Sequence, residues 1–551
     1  MSCELSKENV DIVDGSNNTS ESAGETVSVK ARKEKVKGAF LPLGINVKEY
    51  FKPPVIAVLG SGGGLRAMVG LQGTLSKLSE LNLLDVVTYI AATSGSTWCM
   101  SFLYSNKNWT EFSCMKNLES QLCEQIKNAT KRNWGESWMM IKERFLGEMY
   151  SLTDFWAYAV IFKITNTINR GKLSGHKAGC ENGTHPYPIY AAVEKESLQN
   201  NDLGSWFEFT PHLSGFPAYK SYVKSELLGS KFEAGCLLEE QAERDLTYLE
   251  GLWGSAIGDT VPHLVHGLLH DAIQDFMSSL YGGVSSLCAT CEKIKEIIYP
   301  LARNKDDMEK AWSTIANQIE DTLKTTQRMH HCIPDTVEYA SYASMVKRNT
   351  IQGVCENATV IKNIVSCIVQ WKWGTTNNFL YQWKNKMLEE CEISTKEHIS
   401  LIDAGLDINT PYLLMLPPHR KVDLILSFDF SQGDPFLTLT QTAEYCKKYK
   451  LPFPEINIDD NDKDIPSKSC YSFEGDGNEV PHVMHFPQFN VETCADAEKV
   501  KELRKTYGTF VVSYEESQLK ELLDIGKKNV ENNKNRILEK IKQCVEQCNR
   551  T

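Results

Sequence analysis

Ser94 lies in Ala91-Ala92-Thr93-Ser94-Gly95-Ser96, where an apolar run gives way to the helical pattern Thr97-Trp98-Cys99-Met100-Ser101-Phe102-Leu103. A serine on a strand-to-helix turn between small residues matches a nucleophile elbow, because the turn is crowded and throws the hydroxyl outward. Ser94 or Ser96 would serve equally as a helix N-cap. Upstream, Gly60-Ser61-Gly62-Gly63-Gly64 joins another apolar run to another helical pattern. Unpaired N–H groups at such a turn, with the helix dipole behind them, favour an anionic oxygen. The loop is not a P-loop, since no Gly-Lys-Ser/Thr follows, and Leu65 stands where the third glycine of a dinucleotide fingerprint belongs. Nucleophile and oxyanion donors together define acyl transfer, in which one such donor contributes about 3–4 kcal/mol. The reaction also needs a base. Asp403, which closes Ile399-Ser400-Leu401-Ile402 and precedes Ala404-Gly405, can reach the same edge, and a turn-capping aspartate would read the same way.

The elements that must position these groups are legible from periodicity. Val55–Leu59 is an apolar run closed by glycines, as in a strand buried on both faces. Met68, Leu71, Leu75, Leu78 and Leu81 recur at helical spacing over 66–84, and Val86–Ile90 reads as a second strand. This is a βαβ unit, so both strands share a parallel sheet and the fold is α/β. Ile399–Asp403 and Val422–Phe428 read as further strands of that sheet. Adjacent parallel strands end on one edge, which would bring the glycine loop to Ser94. The stretch 180–390 is mixed, with helical patterns near 304–328, and no internal repeat is found.

A chain of 551 residues with 42% hydrophobic content can bury one large core with insertions, or two domains. A formal net charge of −12 speaks against a nucleic-acid binder acting through a general positive field. The N-terminus has no signal-peptide pattern and no apolar run spans a bilayer, so a cytoplasmic protein is expected. Seventeen cysteines, an odd number scattered along the chain, are expected to be reduced thiols. Residues 1–38 are polar and read as a flexible arm, ending in the basic Lys30, Arg32, Lys33, Lys35 and Lys37.

No metal site is expected. Asp460, Asp462 and Asp464 mimic the start of an EF-hand loop, but Ile465 replaces its glycine and Tyr471 its glutamate. His263, His266 and His270, and Cys288 and Cys291 with His330, His331 or Cys332, lack a complete ligand pattern. At the C-terminus, Lys527, Lys528, Lys534, Arg536, Lys540 and Lys542 mark a basic helix that would lie on anionic lipid or in solvent. Cys548-Asn549-Arg550-Thr551 lacks the aliphatic middle of a prenylation signal, which leaves palmitoylation of Cys544 or Cys548 open. Trp371, Trp373, Phe379, Tyr381 and Trp383 read as core, with an acyl channel as the alternative.

The stretches Gly60–Ala67, Ser94-Gly95-Ser96-Thr97-Trp98, Asp403-Ala404-Gly405-Leu406 and Leu426–Ser431 resemble the cytosolic phospholipase A2 (group IV) family. Pro186–Ile189, Trp206–Pro211, Gly251–Ala256 and Gly374–Phe379 extend the resemblance over 53 to about 490. It implies a three-layer, patatin-like α/β catalytic domain over 39–551, with a mostly parallel sheet and a cap or lid insertion within 180–390. It also implies a Ser–Asp dyad of Ser94 and Asp403, oxyanion donors at Gly63 and Gly64, and substrate-binding arginines at Arg66 and Arg420. Ala92 departs from the pattern, where the family usually has glycine. Too few residues precede Pro53 for the calcium-binding C2 domain of many members. The expected function is therefore calcium-independent, cofactor-free release of fatty acid from membrane glycerophospholipids, with lysophospholipase or transacylase activity as variants. The expected partner is a phospholipid membrane surface, bound peripherally inside the cell, with no nucleic acid. A catalytically silent lipid-binding or storage protein is the rival, and it would place no demand on Ser94, Asp403, Arg66 and the glycine loop together.

Overall fold

The computed structural model describes residues 12–14, 23–47, 51–127, 134–256 and, with short interruptions, 356–549. They fall into two compact units, Met1–Thr130 with Asn169–Ala256 and Asn377–Thr551, and Lys131–Ile168 with Ile257–Thr376. The first unit carries the site.

Its sheet contains β1 (Ile12–Asp14), β2 (Ile56–Gly60), β3 (Tyr89–Ala92), β4 (Tyr187–Glu194), β5 (Trp206–Phe209), β6 (Leu213–Phe216) and β7 (Ser221–Lys224). Later come β8 (His398–Asp403), β9 (Leu424–Asp429), β10 (Tyr471–Phe473) and β11 (His482–Pro487). Neighbours run β1-β7-β6-β5-β4-β3-β2-β9-β11-β10, and β8 adds to β4. The centre, β4-β3-β2-β9-β11, is parallel, as the βαβ pattern requires, and the flanking strands are antiparallel. Every residue of β2 and β3 is buried, which is why both read as unbroken apolar runs. Val86, expected to open β3, lies in a 3-10 turn, so the strand starts at Tyr89.

Five helices bear on the site: α1 (Ala23–Ala39), α2 (Gly64–Glu80), α3 (Gly95–Tyr104), α4 (Leu246–Trp253) and α5 (Glu516–Cys548). Part of the segment read as a flexible arm is thus helix α1. Its low apolar content hid the real anchor, Arg32, whose buried guanidinium donates to the carbonyls of Val87, Gly183, Thr184, Leu84 and Asp85. The basic C-terminal helix likewise packs one face into the unit rather than lying free in solvent. Leu519, Leu522, Val530, Ile537 and Ile541 of α5 are buried, Lys527 pairs with Glu119 at 2.5 Å, and Lys540 pairs with Glu474 at 2.6 Å. Helices α2 and α5 touch backbone to backbone, since a Cβ on Gly73 would stand 2.4 Å from Leu523 O. Cys544, near the end of α5, is buried as well.

The insertion boundary also moves. Residues 187–224, inside the range assigned to a cap, are strands β4 to β7 of the sheet. The second unit draws instead on 131–168 and 257–376. In it the helix Trp134–Phe145 meets the helical stretch after Leu152 through the Ser137 hydroxyl, which donates to Tyr158 O. The pattern near 304–328, His263, His266, His270, Cys288, Cys291, His330, His331 and Cys332 lie outside the described residues.

Candidate active site

Ser94 enters α3 with φ 52° and ψ −131°. A non-glycine residue there stores about 1–3 kcal/mol of strain, and the surrounding contacts must hold it. The glycine loop does so by close approach. A Cβ on Gly62 would fall 2.9 Å from Ser94 Cβ, and one on Gly95 would fall 2.0 Å from Gly64 O. The Ser96 hydroxyl, fully buried, donates to Ser61 O at 2.6 Å and fastens the elbow to the loop, so it is not presented to a substrate. Gly64 has φ 59°, open to glycine at little cost. Gly62 N–H donates to Asn409 O at 3.0 Å, whereas the N–H groups of Gly63 and Gly64 have no hydrogen-bond partner among the described residues.

Asp403 arrives from the opposite direction. Ala92 of β3 pairs with Tyr190 of β4 in parallel, and Asp403 of β8 pairs with Ala192 of β4 antiparallel. Strand β5 occupies the other edge of β4 over Tyr190–Val193, so β3 and β8 share one edge and meet end to end. The sequence pattern places β8 in the sheet but does not reveal this reversal. Asp403 N–H donates to Ser255 Oγ at 3.2 Å, and its Oδ1 accepts the Gly405 N–H at 2.8 Å. Oδ2 makes no hydrogen bond of normal geometry. Burial pushes the carboxyl up to about 7, with the nearby Ser94 hydroxyl and the Gly405 N–H holding it down. Hydroxyl and carboxylate are therefore close, though not aligned at bonding distance.

Asn409 was not singled out by any motif, yet it joins the two halves of the site. Its Nδ2 donates to Gly62 O at 3.1 Å and to Ser431 Oγ at 2.8 Å. An asparagine near the end of the Asp403 loop carries no local signal for this; only the meeting of two distant loops creates it.

Arg66 lies directly beside the loop, its Nη2 2.9 Å from the position of a Cβ on Gly63. It is fully buried and donates to Phe430 O at 2.8 Å, to Tyr507 O and to Thr509 Oγ1 at 3.4 Å. Burial pulls its pKa down to about 10. Arg420, expected to bind substrate, is elsewhere. Its guanidinium grips Glu208 at 2.8 and 2.9 Å and Glu25 of α1 at 2.9 Å. Glu208 pairs with Ala191 and Asp403 with Ala192, consecutive residues that point to opposite faces of the sheet. Arg420 therefore sits across the sheet from Asp403, buried and bound to carboxylates of both α1 and β5.

His485 and His482, which follow Asp403 in the chain and could complete a Ser–His–Asp triad, do not join the pair. His485 Nδ1 meets Tyr412 OH at 3.1 Å, its Nε2 meets Pro435 O at 2.8 Å, and burial pulls its pKa down to about 4. His482 is taken up by Gln547 and Glu474. In the acidic loop, Asp460 pairs with Lys463 at 2.6 Å and Asp462 accepts the Ser467 N–H at 2.9 Å. Among the described residues no group of three His, Cys, Asp or Glu is placed to hold a metal ion. Of the aromatic residues, Trp373 and Phe379 are buried and pack within their own units, against Trp156 and Phe216 respectively, while Trp371, Tyr381 and Trp383 are half-buried.

The sheet is centred on parallel strands and carries the elbow and the glycine loop at one end, which makes this an α/β catalytic domain. A family model described as the lysophospholipase catalytic domain matches residues 56–329. Human cytosolic phospholipase A2 gamma is 37% identical over 543 residues, 94% of each chain, and the mouse gamma protein is 36% identical over 94% of this chain and 90% of its own. The solved structure of human GIVD cytosolic phospholipase A2 superposes with a TM-score of 0.68 at 22% identity, covering 98% of this chain and 69% of that one, a likeness of fold. The chain belongs to the cytosolic phospholipase A2 family, whose members are phospholipase hydrolases.

Proposed function

We propose that this chain releases fatty acid from membrane glycerophospholipids through an acyl-serine intermediate. The observation that carries the reading is the Ser94–Asp403 pair: a strained serine facing a buried carboxylate whose proton affinity sits near neutrality, with no histidine between them among the described residues. Asp403 Oδ2 takes the Ser94 proton as Oγ attacks the ester carbonyl. The tetrahedral oxyanion is received by the unpartnered N–H groups of Gly63 and Gly64. Collapse breaks the ester C–O bond, and the proton on Asp403 passes to the departing lysophospholipid oxygen. Water, deprotonated by the same carboxylate, then attacks the acyl-serine, the acyl C–Oγ bond breaks, Asp403 returns the proton to Ser94 Oγ and the fatty acid leaves; a lysolipid hydroxyl in place of water gives transacylation. Loose contacts of this kind tighten when substrate binds.

None of these steps draws on calcium or a cofactor, and Asp460 and Asp462 are already paired with Lys463 and the Ser467 N–H. Among the described residues no helix is long and apolar enough to cross a membrane. Peripheral contact from the cytoplasmic side suits such a chain and its substrate. The test is incubation with defined phospholipid vesicles in excess chelator, with released fatty acid and lysolipid measured. Release by the native chain and none by Ser94→Ala is the expected result. Absence of release from every phospholipid, with vesicle binding intact, would leave the silent lipid-binding alternative.

A further inference from the structure

The motif Gly251-Leu252-Trp253-Gly254-Ser255-Ala256 has no part in the chemistry above, yet it and its neighbour Glu250 touch both halves of the site. Helix α4 is capped by Asp245, whose carboxylate accepts the Tyr248 N–H at 2.9 Å, and it packs on α3, β4 and β8. Glu250 reaches α3 twice. Its carbonyl accepts Trp98 Nε1 at 2.9 Å, and its carboxyl accepts the Ser101 hydroxyl at 2.6 Å. Just beyond the helix, Ser255 Oγ accepts the Asp403 N–H at 3.2 Å while donating to Leu252 O at 2.7 Å. Glycine is needed between them, because a Cβ on Gly254 would lie 2.5 Å from the Trp98 ring.

We propose that Glu250 is a positioning residue which, through α4, keeps the Ser94 helix in register with Asp403, and that it does so as the uncharged acid. The inference rests on the Ser94–Asp403 reading. Glu250 is buried, and among the described residues no cation pairs with its carboxyl. Ser101 comes from α3, Tyr190 from β4 and Asp245 from the start of its own helix, while Arg244 lies over the Tyr248 ring at 3.4 Å. Burial pushes the carboxyl up to about 8, the Ser101 hydroxyl holds it down, and the Asp245 charge adds to the rise. The folded acid binds its proton more tightly than the unfolded one, so its contribution to stability is complete below the ordinary carboxyl range and is lost as pH climbs through about 8. Above that pH a buried carboxylate has one hydroxyl to solvate it, and α4 must yield. A shift of about 1 Å between reacting groups can cost about 10²-fold in rate.

The experiment is the pH profile of kcat/KM on phospholipid vesicles for the full chain, Glu250→Gln, Glu250→Leu and Ser94→Ala. The native enzyme should rise through about 7 and fall above about 8. Glu250→Gln, which keeps the acceptor for Ser101, should retain about half or more of the neutral rate and lose the descending limb, exceeding the native enzyme by roughly tenfold about one and a half units above its alkaline midpoint. Glu250→Leu should lower kcat by roughly tenfold at neutral pH with KM changed less than about twofold. An unaltered descending limb in Glu250→Gln overturns the proposal, and so does equal behaviour of the two variants. If the leucine variant does not fold, the glutamine profile decides alone. Failure of the underlying dyad would show separately, as turnover surviving in Ser94→Ala.

Discussion

Asp403 ends β8 on the same edge of β4 that β3 follows toward Ser94, so the two residues meet head-on from strands running in opposite directions. Proximity here is a product of strand register, and it makes the pair sensitive to substitutions of very small size.

Ser94→Ala should abolish labelling by a fluorophosphonate probe and reduce hydrolysis by about 10³-fold or more, with the circular dichroism spectrum unchanged. Ser96→Ala should still be labelled, because its hydroxyl is spent on Ser61 O. Mass-spectrometric mapping of the adduct to Ser96 would sink the assignment.

The Asp403 carboxyl, raised to about 7, predicts an ascending limb of kcat/KM at that pH, as the base becomes ionised. Because its folded pKa exceeds its unfolded value, ionisation costs stability as pH rises through about 7. Asp403→Asn should therefore be nearly inactive yet melt a few degrees higher than the native chain above that midpoint, and roughly level with it in acid. His485→Ala, after allowance for lost packing, should keep most activity; a drop of about 10³-fold in a folded variant would restore a triad.

Gly62→Ala tests the close approach of loop and elbow. Its φ is not in the left-handed region, so the cost comes from contact: the new Cβ would stand 2.4 Å from Asn409 Oδ1 and 2.9 Å from Ser94 Cβ. A fall in kcat of about 10²-fold, larger than any change in KM, is expected in steady-state kinetics.

The two arginines should separate. Arg420→Ala removes the guanidinium that bridges buried Glu208 and Glu25, a loss of about 3–5 kcal/mol in denaturant unfolding, while activity per folded molecule stays within about threefold. Arg66→Ala, beside the glycine loop, should impair phospholipid turnover more than turnover of an uncharged ester. Equal loss on both substrates would make Arg66 a buttress of the loop alone.

Some of the fold and site is local and was legible without coordinates. The apolar runs of β2 and β3, the helical spacing of Met68 to Leu78 and the small residues around Ser94 follow from burial and steric crowding over a few residues, which periodicity records. Segments held by polar anchors escaped it. Helix α1 has little apolar signal because Arg32 and Glu25 secure it, and their partners lie far along the chain.

The sequence by itself determined that an α/β sheet would set a glycine loop beside a serine elbow, because each feature is encoded in neighbouring residues. Only the tertiary structure decided which charges meet. Strand register sent Asp403 to Ser94 and Arg420 to the opposite face, fixed Asn409 and Ser255 around the site, and buried Glu250 behind it. The reason is physical: a side chain's type is local, but its partner, its burial and hence its proton affinity depend on elements hundreds of residues apart.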